Sequence, residues 1–350
     1  MIDTIFPSNQ YTSNEMRSAI ARVQTQLAQA QKELSTGRHA DAGLTLGADT
    51  GKAISFRNNI NFFEAVLGTN GSVATRMDTA QIGLQSISDN AQAFLAALVN
   101  AKTSTAAAGV AVVDAQARFK SFISDLNTSV DGQFVFAGTN SDVKPMDDYF
   151  AVPASAAKQT FDAAFLAKFG FDQQSSNVAS IPASAMRDFL DNEFADTFAA
   201  ANWQSAWSAA SPSNVMSRIS ATQIVQTSVN SNDQAFRKIA SAFVAVGVAG
   251  FDKMNDAAKG AVLDRAIAQL GEGLADISKL QSTVGVAQER LSKASDILTL
   301  QKNLSVASLD KLEGVDPAEA ATRISALMTQ LETAFTLTKR LNELSLLKYL

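Results

Sequence analysis

The chain has 350 residues, 46% of them hydrophobic, which is enough for a sizeable core and for more than one domain. Only 18% of the residues are charged and the net charge is −5, so no basic surface for nucleic acid or anionic lipid is indicated. The absence of cysteine excludes disulfides, thiolate catalysis and cysteine metal sites. No run approaches the roughly 20 apolar residues that span a bilayer, and the first ten residues lack the pattern of a classical signal peptide.

The first predicted element is an N-terminal helix with the spacing of a coiled-coil seam. Its apolar residues recur at alternating intervals of four and three, which places them in one stripe. Ser13 or Asn14 is expected to cap its start, and Gly37 is expected to end it. The stripe consists of Met16, Ile20, Val23, Leu27, Ala30 and Leu34.

Two further helices are predicted before residue 130. The first, 73–101, has a small or large apolar residue at every seam position, with Thr69 or Asn70 as its expected cap. The second, about 110–129, is expected to fold back on it. The upstream segment GADTGKA (47–53) resembles a phosphate-binding loop, but it has three residues between its glycines and alanine after its lysine. We therefore predict an ordinary connection between helices there.

From about residue 130 the helical period weakens. The segment GQFVFAGTN (132–140) predicts a hairpin arm with its turn at Gly138. Residues 143–212 hold four of the six prolines and both tryptophans, which indicates a compact inserted region of short elements. Residues 217–230 are rich in isoleucine, valine and threonine and predict strands.

Two seams follow in the C-terminal third. The first runs through 263–298, with a slip of its frame near Ile277. The second begins with Asp316 as the expected cap, Pro317 as the first helical residue and Glu319 as a variant of the capping box. Its stripe contains Ala320, Ile324, Leu327, Leu331, Ala334, Thr338 and Leu341, and the apolar tail adds Leu344, Leu347 and Leu350.

Neither set of long helices can bury its stripe alone, so we expect the two ends of the chain to pair. The predicted fold is mainly α: an elongated antiparallel helical bundle or coiled-coil rod formed by the N- and C-terminal segments, with an inserted mixed α/β or β-rich middle domain. The predicted domains are a terminal coiled-coil assembly domain (1–45 plus 315–350), a helical rod domain with β-hairpin arms (46–142 plus 215–314) and an inserted variable domain (143–214).

The sequence contains few residue patterns that indicate a catalytic or ligand-binding site. His39 is the only histidine, so no histidine triad or zinc triad can be built, and we expect it to be solvated in a polar loop. The carboxylates Asp147, Asp148, Asp188 and Asp191 are likewise expected to be solvated. Two tryptophans, at 203 and 207, could form a sugar platform, but core packing is favoured. We predict no catalytic, cofactor or metal site, and no enzymatic activity.

The stripes themselves have two interpretations, an internal core or an interface between chains. We favour the core for 73–101 and 277–298. We favour the interface for 16–34 and 320–350, because a projecting pair of terminal helices would expose large apolar faces. The predicted assembly residues are Met16, Ile20, Val23, Leu27, Leu34, Ile324, Leu327, Leu331, Leu341, Leu344, Leu347 and Leu350.

Both ends of the chain resemble the flagellin family. The segment LSTGRHADAG (34–43) is similar to the family's N-terminal signature, and 315–350 is similar to its C-terminal signature. The resemblance covers roughly 1–140 and 225–350. Filament flagellins tend to have an Ala-Asn-Gln stretch before the final leucines, where this chain has TKRLNELSLL. Near the N-terminus, the segment SNQYTSNEM also departs from the filament flagellins. Within the family, the chain is therefore more similar to the hook–filament junction proteins (hook-associated protein 3).

This resemblance implies an axial structural protein of the bacterial flagellum, extracellular and exported unfolded through the flagellar type III channel without a cleaved signal. It implies an adaptor ring that joins hook-associated protein 1 to the flagellin filament. The implied partners are further copies of the chain, hook-associated protein 1, flagellin, and a cytosolic export chaperone on the C-terminal helix, with no cofactor, nucleic acid or membrane. Two alternatives stay open: a filament-forming flagellin, and a secreted surface protein whose middle domain binds glycan or host protein.

Overall fold

A computed structural model of the chain describes residues 9–102 and 108–346. The chain divides into two compact units. The terminal unit is formed by Met1–Ala65 and Leu298–Leu350, and the central unit is Val66–Ile297. The apolar tail residues Leu347 and Leu350 lie outside the described residues.

Helices dominate the described part of the chain. Four are long, as the extended seams predict, and the shorter ones lie mainly between residues 156 and 247. In chain order they are α1 (Asn9–Thr36), α2 (Ala42–Leu46), α3 (Thr50–Ala101), α4 (Ala108–Leu126), α5 (Ala156–Phe169), α6 (Ala183–Asp191), α7 (Glu193–Thr197), α8 (Ala200–Asn202), α9 (Gln234–Gly247), α10 (Asp256–Glu313) and α11 (Pro317–Leu346).

Two small antiparallel sheets complete the central unit. In the first, β1 (Ser129–Val130) pairs with β2 (Gln133–Phe134), and in the second β3 (Met216–Arg218) pairs with β4 (Ile224–Gln226). The second hairpin confirms the strands predicted in 217–230.

The first hairpin corrects the predicted position of its turn. The strands reverse at Asp131 and Gly132, whose φ angles of 51° and 77° are both positive, and not at Gly138. A two-residue loop of this kind matches the right-handed twist of the strands, and Asp-Gly tolerates the left-handed conformation. Gly138 instead allows a close backbone approach, because a Cβ there would lie 2.5 Å from the carbonyl oxygen of Ser213.

Several helix starts differ from the predicted ones. Ser13 and Asn14 lie inside α1, which already includes Asn9, although the helix ends as predicted before Gly37, which has φ +68°. α3 begins at Thr50, about 20 residues before Asn70. Asn70 does not cap a helix, because its buried amide donates to the carbonyl of Ile219 and to Ser295 Oγ, both at 3.0 Å. Tertiary contacts therefore hold this residue within a continuous helix.

The predicted start of the last helix is confirmed. Asp316 Oδ1 accepts from the backbone N–H of Ala318 at 2.8 Å, and Pro317 is the first helical residue. The capping-box variant does not form, since the Glu319 carboxylate accepts from Arg323 at 2.8 Å, one helical turn further on. An arginine on the same face therefore competes successfully for this side chain.

The core of the central unit is aromatic. Trp203 and Trp207 are buried, with parallel rings 5.2 Å apart, and Trp203 Nε1 donates to the carbonyl of Ser231 at 3.0 Å. Core packing is thus confirmed for both tryptophans, and neither presents a face to a sugar. The largest fully buried side chains are Trp203, Tyr149, Phe94, Phe119, Phe122, Phe136, Phe161, Phe165, Phe189, Phe194, Phe236 and Phe243.

These observations confirm a mainly α fold, in which long helices from the two ends pack together and a mixed middle region carries two small sheets. Within 143–214 the described elements are short helices and helical turns joined by loops. The three predicted domain boundaries stay a prediction. Among the described helices, none combines the length and the apolarity needed to cross a membrane.

Candidate assembly surface of the terminal helices

In the terminal unit, α1 and α11 pack against each other in antiparallel directions. Near one end Thr338 Oγ1 lies 3.7 Å from Met16 Sδ, and near the other Arg323 Nη1 lies 3.1 Å from Glu33 Oε2. The sequence positions rise along one helix as they fall along the other. We call these two helices the terminal pair.

The terminal pair brings seven of the twelve predicted assembly residues together along its shared face. Leu327 is only 8% exposed, whereas Leu34, at the end of α1, is 42% exposed. The side chains of Leu341 and Leu344 lie outside the described residues. The remaining members are half-buried: Met16, Ile20, Val23, Leu27, Ile324 and Leu331. Their proposed contacts with other subunits stay a prediction, since the described contacts lie within one chain.

Apolar side chains also lie outside this stripe. Met328 and Phe335 on α11 are each 49% exposed, seven residues apart and therefore on one side of the helix. Leu300 and Leu304 on α10 are 69% and 67% exposed. These residues were not predicted from the sequence, although their spacing was visible in it. Exposed apolar groups that recur along a helix often mark an association surface.

A buried carboxylate ends α10. Glu313 is 1% exposed, and its two oxygens lie 2.8 and 2.7 Å from Arg57 Nη2. Arg38 Nη1 lies 3.7 Å from the same carboxylate. A carboxylate at this depth is retained only when cations and hydrogen bonds compensate its lost hydration. The C-terminal half thus supplies the anion and the N-terminal half supplies both cations.

Glu33 on α1 is a second buried carboxylate, and here the N-terminal half supplies the anion and the C-terminal half supplies the arginine. It is 8% exposed, pairs with Arg323 of α11 at 3.1 Å, and accepts from the backbone N–H of Ala40 at 3.1 Å. His39 Nδ1 lies 3.8 Å from the same carboxylate. His39 is half-buried, so its predicted solvation is only partly correct. We call Glu33, Arg38, Arg57, Glu313 and Arg323 the arginine–glutamate cluster.

Backbone hydrogen bonds reinforce the arginine–glutamate cluster. The N–H of His39 donates to the carbonyl of Glu313 at 2.9 Å, and the N–H of Val315 donates to the carbonyl of Gly37 at 3.0 Å. Gly314 is required here, because a Cβ would lie 2.4 Å from the carbonyl oxygen of Asp310. The signature segment 34–43 therefore has a structural role, because its backbone hydrogen bonds connect the end of α1 to the residues just before α11.

Other predicted positions carry no reactive arrangement in the described residues. Residues 47–49 form a single helical turn between α2 and α3, so the predicted connection between helices is confirmed. Asp188 and Asp191 are 57% and 62% exposed, as expected of solvated carboxylates. The hydrogen bond from Lys168 lowers the pKa of Asp188, which keeps this group ionised and unsuited to donating a proton near neutral pH.

Comparison with known proteins matches both ends of the chain. Residues 8–141 match the family model described as the bacterial flagellin N-terminal helical region, and 267–350 match that of the C-terminal helical region. Together these segments span well over half of the chain. No curated protein matches.

A solved structure shares the fold at low sequence identity. A structure described as a flagellar hook-associated protein of Vibrio parahaemolyticus is 9% identical, with a TM-score of 0.52 over 76% of this chain and 97% of that one. FlgL of Bacillus cereus is 11% identical, with a TM-score of 0.47 over 73% of this chain and 99% of that one.

Proposed function

Because the chain belongs to the bacterial flagellin family, we propose that this flagellar structural protein forms the adaptor ring at the junction of hook and filament. One observation carries the proposal. The two family-matched ends meet in the terminal pair, whose seam is half-buried within the chain and flanked by exposed apolar side chains. Such a surface gains stability when further helices cover it.

The geometry suits assembly around an axis. The seam and the flank of Met328 and Phe335 are different surfaces, so one copy can offer its flank to another surface of the next copy. Interfaces of this head-to-tail kind produce closed rings or open helices, depending on the rotation between copies. The arginine–glutamate cluster supports this role, because it fixes where α11 begins relative to the end of α1.

The choice of a junction subunit over a filament subunit rests on the chain ends. TKRLNELSLL stands where filament flagellins tend to have their Ala-Asn-Gln stretch. The N-terminal segment SNQYTSNEM also departs from the filament flagellins. A subunit that must contact two different neighbours has reason to depart from the filament sequence at both ends. We propose hook-associated protein 1 and flagellin as these neighbours.

Export and delivery form the remaining part of the proposal. We propose that the chain passes unfolded through the flagellar type III channel, with an export chaperone covering the C-terminal helix. The lack of cysteine suits a chain that must stay free of cross-links on the way. The low charge of the chain suits close packing of many copies.

The first test separates assembly from folding. Deletion of 335–350, or replacement of Leu327 and Leu331 by aspartate, is expected to abolish filament growth and motility while the central unit stays folded. Thr329→Asp, on the exposed side of the same helix, is the matched control and is expected to preserve motility. Normal motility of the Leu327→Asp and Leu331→Asp double variant would contradict the assembly role.

The second test separates the junction role from that of a filament flagellin. Immunogold labelling of intact cells is expected to give one band at the hook–filament boundary, and purified protein seeded with filament fragments is expected not to grow long filaments. Label along the whole filament, together with seeded growth, would instead establish the flagellin alternative.

A further inference from the structure

A cleft in the central unit is lined by three cations and by no carboxylate among its described lining residues. Its volume is about 220 Å³, and it lies between the α7–α8 segment, α9 and α10. The cations are Arg237, Lys238 and Arg265. The other lining residues include Gln234 and Gln269, whose side chains carry amides, and the apolar residues Ala195 and Ala199.

Two of the three cations are balanced by carboxylates that do not line the cleft. Lys238 Nζ lies 2.9 Å from Asp276 and 3.1 Å from Glu272, and Arg265 lies 3.4 Å from Asp191. These anions hold the two cations in place from outside. Lys238 and Arg265 are therefore already charge-compensated, which leaves Arg237 as the cation of the cleft that lacks a counter-charge in the part of the chain that the structure describes.

Arg237 differs, because no carboxylate of the described residues lies within ion-pairing distance of it. Its Nη1 donates to the backbone carbonyl of Phe198 at 3.0 Å, which fixes the guanidinium in the cleft wall. Its Nε is enclosed and has no acceptor among the described residues. A half-buried guanidinium without a counter-charge is costly, and its planar fork can pair with both oxygens of a carboxylate.

We propose that this cleft binds a carboxylate group, with Arg237 as the pairing residue. Gln234 and Gln269 line the same cleft and supply amide donors for further hydrogen bonds, while Ala195 and Ala199 supply apolar lining. The volume corresponds to about seven water molecules at ~30 Å³ each, which suits an acidic side chain or a small di- or tricarboxylate. It is smaller than the ~300–1,000 Å³ of typical pockets for drug-sized molecules, which favours a small ligand group.

The carboxylate has two candidate sources, a small molecule in the medium or an aspartate or glutamate of another flagellar subunit. The chain itself carries 34 acidic residues, so each copy offers many such groups to its neighbours. Both sources use the same chemistry at Arg237. The proposal does not depend on the junction role, since it concerns the central unit alone.

The first experiment uses the purified full chain with citrate and succinate as probes, followed by calorimetry and amide chemical shifts. We expect saturable binding, with shifts around Arg237, and at least a tenfold weaker affinity in Arg237→Gln. Arg187→Gln is the matched control, because Arg187 is exposed and does not line the cleft. Arg237→Lys tests the bidentate geometry and is expected to bind at an intermediate strength. Equal affinity of wild type and Arg237→Gln would overturn the proposal, provided that both melt at the same temperature.

The second experiment addresses the other source. Arg237 and Arg187 are labelled with phenylglyoxal in the free chain and in isolated flagella, and modification is measured by mass spectrometry. Protection of Arg237 at least fivefold greater than that of Arg187 on assembly would assign the cleft to a neighbouring subunit's carboxylate. If citrate and succinate do not bind and Arg237 is not selectively protected, the proposal is wrong.

Discussion

The two units of this protein differ in the side chains that they bury. All of the largest fully buried side chains lie in the central unit, where phenylalanines and tryptophans pack against one another. In the terminal unit the buried residues described are alanines, leucines, one serine and two carboxylates, namely Ala30, Ala53, Ala320, Leu298, Leu309, Leu327, Ser305, Glu33 and Glu313. The central unit therefore holds the burial needed for its own stability, whereas the terminal unit buries a narrow stripe within the chain.

This difference in burial suggests that the central unit provides stability and that the terminal pair provides assembly contacts. Helices gain most of their stability in proteins from packing of an apolar face, so helices with half-buried stripes depend on what else covers them. The central unit is expected to fold in the free chain. The terminal pair is expected to reach full stability only with neighbouring subunits, which links its incomplete burial to assembly.

The largest expected loss of stability comes from a substitution in the aromatic core. Trp203→Ala removes a buried ring and its hydrogen bond, and it is expected to cost about 3–5 kcal/mol in the free energy of unfolding. Leu331→Ala in the half-buried seam is the comparison, expected to cost less than about 1 kcal/mol in the free chain. Denaturant unfolding followed by circular dichroism measures both. Equal losses would contradict the contrast between the units.

A smaller effect comes from overpacking the central unit. In Gly273→Ala the new Cβ would lie 2.7 Å from Ile239 Cγ1, so we expect a loss of about 1–3 kcal/mol. At Gly271, two residues earlier on α10, a Cβ would have no neighbour within 4 Å, and Gly271→Ala is expected to stabilise by about 0.5–1 kcal/mol. Opposite signs in chemical unfolding are the expected result, and two stabilising substitutions would show that the core is loosely packed.

Loss of the buried carboxylate should affect the terminal unit alone. Glu313→Gln keeps the size of the side chain but removes its charge, and because Arg57 is half-exposed we expect a local loss of about 1–2 kcal/mol. Hydrogen exchange should quicken in 36–40 and 313–317, while the main unfolding transition is unchanged. Glu319→Gln is the control, with an expected effect below about 0.5 kcal/mol for its 69%-exposed side chain. A shift of the main transition in Glu313→Gln would argue against independent units.

The smallest expected effect concerns Tyr149. Its hydroxyl is buried and has no hydrogen-bond partner among the described residues, so Tyr149→Phe is expected to be neutral or to stabilise by up to about 1 kcal/mol. Burial raises the pKa of Tyr149, which means that only the unfolded chain ionises there as the pH rises above about 10. Wild type should therefore lose more stability than Tyr149→Phe between pH 8 and pH 11, and parallel losses would contradict this burial.

The sequence predicts the helices well where a period repeats over many turns. The seams from Met16 to Ala30 and from Ala320 to Thr338 place their residues on the shared face of the terminal pair, and Asp316-Pro317 marks the start of α11. Prediction from the sequence fails where distant contacts outweigh local signals. Asn70 is a good cap by itself, but its bonds to Ile219 and Ser295 keep it inside α3.

The charged parts of the structure could not be predicted for a related reason. Glu33 and Arg323 are 290 residues apart, and Arg57 and Glu313 are 256 apart, so no periodicity connects them. The cations of the cleft come from α9 and α10, two separate helices. A charge in a sequence usually indicates a solvated position. Only the fold shows which few charges are enclosed together.

Hydrogen–deuterium exchange on the free chain and on isolated flagella tests the central claim most directly. We expect amides of α1 and α11 to exchange faster than those of the central unit in the free chain and to become more protected on assembly. Amides of α3 and α10 within 66–297 should be protected in both samples. Protection of α11 in the free chain equal to that of the central unit, with no change on assembly, would contradict the claim that neighbouring subunits complete the terminal pair.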